Sequence, residues 1–167
     1  MKLIRRKSLL IFTSLFLSLI GLNIALAGEK KDMGGWQMDS PYNRLYKPGE
    51  LDAFKATVVK ITEIVPMSGM SPGVAIHVKE SAEDEVIVVH VCPTWYIQPG
   101  GIGLKRGDRV KVRGVWAEID GKDVFLAAKI KKGDYFSLKV RLTKNGKPFW
   151  TMDQEELNNE KATVGSK

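Results

Sequence analysis

The chain has 167 residues, of which 27% are charged, a formal net charge of +7 and a single cysteine. The lone Cys92 excludes an internal disulfide framework, and without a CxxC or CxxCH motif the chain has neither a thioredoxin-type dithiol nor a covalent c-type haem site. A strongly basic pI of 9.5 would ordinarily raise the question of nucleic acid, but four of the basic residues crowd the first seven positions.

Those four, Lys2, Arg5, Arg6 and Lys7, precede an uncharged run over residues 8–27 that ends Ala25-Leu26-Ala27, the small-x-small pattern that a signal peptidase reads. Residues 1–27 are expected to be a signal peptide cleaved before Gly28, which sends the chain to the periplasm. The alternative is an uncleaved helix anchored in the inner membrane, since the run is long enough to span a bilayer. The remaining 140 residues hold 22 basic and 19 acidic side chains, a net of +3, so nucleic acid is not an expected partner. The excess is localised: residues 105–147 carry 13 bases against 5 acids.

Residues 28–53 are polar, contain Gly and Pro and lack a clear period, and they read as an extended N-terminal arm. Trp36, Tyr42 and Tyr46 lie in it and would either pack back on the domain or dock a partner. Residues 54–152 read as short strands separated by Gly, Pro, Asp and Asn. The first, 54–65, breaks its alternation and is expected to bend. Residues 74–78 alternate, residues 85–91 are apolar on both faces, and residues 109–119 open with Val110 and Val112 set against Arg109, Lys111 and Arg113. Asp120-Gly121 is a strong hairpin signal into residues 123–131. Residues 135–142 and 147–151, turned by Asn145-Gly146, read as an added C-terminal hairpin. Residues 153–167 read as a polar tail with at most one helical turn.

A long bent strand, a hairpin, a connecting segment and a second hairpin follow the plan of a small all-β, OB-fold-like five-stranded barrel. The stretch HVCPTWYIQPGG, residues 90–101, falls at the join of strands three and four. Pro93 would end the strand there, and Trp95, Tyr96 and Ile97 would cover the open barrel end.

The stretches PMSGMSPG, VHVCPTWYI, KRGDRVKVRG, AAKIKKGD and LTKNGKPFW, taken together, resemble a family of exported bacterial OB-fold domains that includes the domain shared by the magnetosome proteins MamS and MamX. The resemblance covers residues 54–150. It implies an exported OB-fold domain linked to metal or redox systems. It implies no catalytic residue, and the CxxCH motifs of haem-bearing relatives are missing here.

Three sets of side chains are candidates for a site. If the turn between the second and third strands centres between Glu83 and Asp84, His77 and His90 are direct cross-strand neighbours, with Cys92 two residues on; with Met67 and Met70 in the preceding loop they would form a soft metal site suited to Cu(I). No other cofactor is expected. Arg109, Lys111, Arg113, Lys129, Lys131, Lys139 and Arg141 would form a basic face for an anionic ligand or membrane surface, with Trp95, Tyr96, Trp116 and Tyr135 as aromatic partners. No Ser-His-Asp spacing, paired carboxylates, HExxH or phosphate loop is present, so an enzyme is not expected. The leading expectation is a non-catalytic binding or accessory module with a protein partner in the periplasm.

Overall fold

The computed structural model describes residues 32–164, so the expected signal peptide lies outside the described residues. Six strands form one sheet: β1 Asp52–Ile64, β2 Gly73–Lys79, β3 Ile87–Pro93, β4 Arg109–Ile119, β5 Lys122–Lys132 and β6 Phe136–Lys139. Their order is β3-β2-β1-β4-β5-β6, and β3 also lies parallel beside β5, so that five strands close a ring. The all-β expectation holds, with the strand order that an OB-fold plan requires.

The long first strand serves two partners. Its first half pairs with β4 and its second half with β2, and a register shift between Val58 and Lys60 supplies the bend. The turn before β4 is stitched to that bend, because the amide of Val58 donates to the carbonyl of Asp108 and the amide of Gly107 to the carbonyl of Val58. Inside the ring Val58, Val74, Ile76, Val78, Val89, Val112, Phe125 and Ile130 are buried, each burial removing about 1.5–3 kcal/mol of unfavourable hydration. Between β4 and β5, Asp120 and Gly121 both take positive φ, 51° and 71°, as a two-residue hairpin turn demands.

The join between β3 and β4 packs on the core through two of the three residues expected there, Tyr96 and Ile97, but not through Trp95. Pairing does end at Pro93, opposite Gly73. Ile102, just after a 3-10 turn at Pro99–Gly101, is a fully buried addition, and Tyr96, Ile97 and Leu104 are partly buried against the core. Trp95 stays 42% exposed.

Both ends of the domain depart from the sequence reading. The N-terminal arm is folded rather than extended: a short helix, α1 Pro41–Arg44, is capped by the Ser40 hydroxyl and followed by a 3-10 turn at Pro48–Glu50. Trp36, Tyr42 and Tyr46 are buried, so the rings pack back on the sheet. The physical reason is aromatic area, which in an aperiodic segment leaves no trace in the hydrophobic pattern. The added C-terminal hairpin is only half made. β6 stops at Lys139, a single bridge joins Arg141 to Pro148, and residues 149–151 form a 3-10 turn, because a proline has no N–H with which to continue a ladder. The polar tail forms a second helix, α2 Gln154–Val164. Asp153 and Glu156 make a reciprocal capping box at its start: the Asp153 carboxylate accepts from the Glu156 amide at 2.8 Å, and Glu156 accepts from the Asp153 amide at 3.2 Å.

Candidate functional site

Strand register assembles the basic side chains into two rows. Lys55 on β1 stands opposite Lys111 on β4, which stands opposite Lys131 on β5. Two residues along, Arg113 on β4 stands opposite Lys129 on β5, which stands opposite Lys139 on β6. Neighbours within a row are about 4.8 Å apart along the hydrogen-bonding direction, and the rows lie about 7 Å apart along the strands. Among the described residues none of these six side chains is held in an ion pair. Partial burial first, then Lys131, Lys139 and Arg113, hold the Lys129 ammonium below the usual lysine value. Like charges directly opposite oppose sheet formation, by a few tenths of a kcal/mol for an exposed pair. Each row contains two such pairs.

Arg109 continues the face on β4, opposite Thr57. With Lys55, Lys111 and Lys131 it lines a cleft of about 450 Å³, which Glu80 and Gly133 border. Lys55 escaped the sequence reading because it is the one cation in the first half of β1, and only the register puts it in line with Lys111. Arg141 was misplaced in the opposite sense: it is 2% exposed and does not belong to the face. Its guanidinium sits 4.8 Å from the centroid of the Trp150 ring, 5.4 Å from Tyr46 and 6.0 Å from Tyr42. The sheet ladder has ended by then, since the amides of both Val140 and Arg141 point to the carbonyl of Ala128, and strict alternation no longer applies. Of the aromatics expected as partners, Tyr96 and Trp116 pack elsewhere. Tyr96 lies against Trp150, and Trp116 stacks on Phe54 while its indole N–H donates to Asp52. Tyr135 is fully exposed in the β5–β6 turn.

The histidines and the cysteine are arranged differently from the expected metal set. The β2–β3 register pairs His90 with Ala75 and His77 with Val88, so the two histidines are diagonal neighbours, a position where backbones lie about 7–8 Å apart, rather than direct partners. A register shift between Val74 and Ala75 then breaks the two-residue spacing from His90 to Cys92. Each group has another partner: His77 Nε2 meets the Thr62 hydroxyl at 2.9 Å, His90 Nδ1 meets the Tyr42 hydroxyl at 3.2 Å, and the Cys92 thiol points to the Ile97 carbonyl at 3.9 Å. Among the described residues no three His, Cys, Asp or Glu side chains come together as a metal ion requires. Burial pushes the Cys92 thiol up to about 12, so it stays protonated, while Met67 and Met70 pack against the core.

His90 is held by Tyr42, whose hydroxyl meets Nδ1 at 3.2 Å. The phenol O–H can donate to Nδ1 only while the His90 ring is neutral at that nitrogen. Protonating the ring would turn Nδ1 into a competing donor. Burial, then Arg141, then His77 accordingly lower its pKa to about 4. The unfolded chain, with His near 6.5, takes up this proton first as pH falls, so the stabilisation from a neutral His90 is complete above pH 6.5 and is lost between pH 6.5 and 4. The expected loss is on the order of 3 kcal/mol across that window. Urea unfolding at pH 7 and pH 4.5 measures it. His90→Gln should flatten the slope, and an unchanged slope in that variant would show that other groups carry the pH dependence.

Residues 50–137 match the MamS/MamX magnetosome protein family, a span of just over half the chain. The chain belongs to that family. No curated protein and no solved structure matches it. The MamS/MamX span runs from the turn before β1 into β6 and includes the whole of the first row, Arg109, Arg113 and Lys129. It ends before Lys139, Arg141 and Trp150.

Proposed function

We propose that this MamS/MamX family member is a non-catalytic accessory protein, exported to the periplasm, that docks an acidic protein partner on the two cationic rows. The single observation that carries the reading is the same-sign pairing of Lys55, Lys111 and Lys131 and of Arg113, Lys129 and Lys139 across adjacent strands. Such pairs work against the fold, and an anionic partner would turn that repulsion into attraction. The basic n-region and the small-x-small ending of residues 1–27 support export. The protonated Cys92 and neutral His90 support a non-catalytic role, because they leave no activated thiolate–imidazolium pair.

The reading is tested with an acidic probe, poly-glutamate, titrated into the protein over a range of salt concentrations. Affinity should fall as salt rises, because exposed charges are screened over about 8–10 Å at physiological ionic strength. Neutralising the second row with Arg113→Gln, Lys129→Gln and Lys139→Gln should weaken binding about tenfold or more. Equal affinity for the variant would remove the docking face. Binding to anionic phospholipid vesicles with no binding to the acidic polypeptide would make the partner a membrane instead.

A further inference from the structure

The cleft at the first row has properties that a flat docking face does not need. Lys55, Lys111 and Lys131 run across three strands in one line, and Arg109 stands one step along β4 from Lys111. Four cations and the single carboxylate of Glu80 line an open cleft of about 450 Å³, a volume within the range of small-molecule sites. The second row does not line it.

The balance of the lining is four positive charges against one negative, so the complementary ligand carries about three negative charges in a compact unit. A phosphoryl group carries about 1.5–2 negative charges near neutral pH, and two joined groups reach that total. A carboxylate ligand needs three separate groups to do the same. The side-chain types agree with the charge count. The guanidinium of Arg109 offers a planar fork to two oxygens of one phosphoryl group, and the lysines act as point charges around the other. We infer that the cleft lined by Lys55, Arg109, Lys111 and Lys131 is a binding site for a small ligand with two linked phosphoryl groups. The site rests on the same positive excess as the docking face, and the two are separable because only the face uses the second row.

The probe is inorganic pyrophosphate, titrated calorimetrically into the full chain at low salt, with inorganic phosphate and citrate as comparisons. One saturable site is expected, at least about tenfold tighter for pyrophosphate than for either comparison. Lys111→Gln with Lys131→Gln should weaken it about tenfold or more, while Arg113→Gln, Lys129→Gln and Lys139→Gln together should leave it within about twofold. Lys111→Arg with Lys131→Arg keeps the charge and should keep binding, which separates loss of the site from loss of the fold. Absence of saturable binding, or citrate binding as tightly as pyrophosphate, overturns the assignment. So does an equal loss in the second-row variant, which would mean that pyrophosphate senses only the general field. A second-row variant that loses poly-glutamate and keeps pyrophosphate supports both sites; one that keeps both ligands removes the docking face and leaves the cleft standing.

Discussion

Gly114→Val should leave the protein unable to complete its ring of strands, and even Gly114→Ala should cost about 3 kcal/mol or more. Gly114 lies at the register shift between β4 and β5, opposite Ala127 and one residue past the Arg113–Lys129 pair. A β-carbon there would be driven into the carbonyl of Leu126 and against the ring of Phe125. Neither can give way. Phe125 and Leu126 are fully buried, and their backbones carry the parallel pairing to Val89 and His90 that closes the ring. Because the obstacle is backbone, repacking side chains cannot relieve it. Urea unfolding of Gly114→Ala measures the loss, and a variant within about 1 kcal/mol of the parent would show that β4 can coil without this close approach.

Trp36→Ala should cost about 3–5 kcal/mol, the range for emptying the site of a buried large aromatic. The indole is fully buried and meets Tyr42 and Trp150 edge to face, with centroids at 4.9 and 5.6 Å. Its N–H donates to the Ser71 carbonyl at 2.9 Å, and its own carbonyl accepts from the Asn43 amide and from the Trp150 indole, both at 2.9 Å. Removing the ring therefore leaves a cavity and an unpaired Ser71 carbonyl. Trp36→Phe fills part of the cavity but lacks the indole N–H, so an intermediate loss is expected. Denaturant unfolding followed by the fluorescence of the remaining tryptophans reads both variants. A loss below about 1 kcal/mol in Trp36→Ala would mean that the N-terminal segment adds little to the fold.

The strands and the hairpin at Asp120-Gly121 were legible because each rests on a local signal: alternation at Val110 and Val112, and a dipeptide that tolerates positive φ twice. The basic face was legible in part, since Arg109, Lys111 and Arg113 alternate within a single strand. Lys55 needed the β1–β4 register, a long-range property that no local pattern states. Arg141 continued the same alternation on paper, but the ladder ends before it and the guanidinium turns inward to the rings. The His77–His90 pairing assumed a symmetric turn and an unbroken third strand. A shift of two residues and the irregularity near Cys92 remove both assumptions. The folded arm was hidden because three aromatic residues in a polar segment carry no period, and the C-terminal helix because its Asp153–Glu156 cap is a two-residue signal within a polar run.

The packing of Trp36 against Trp150 joins two positions that are 114 residues apart in the chain. A fragment cut to the span shared with the family includes neither residue and would lack this packing. Trimming to that span would strip the cover from His90 and expose apolar surface on the outer side of β3. In hydrogen exchange, amides around Trp36 and around Trp150 should open together, so the two ends behave as one cooperative unit wrapped around a ring that neither of them helps to close.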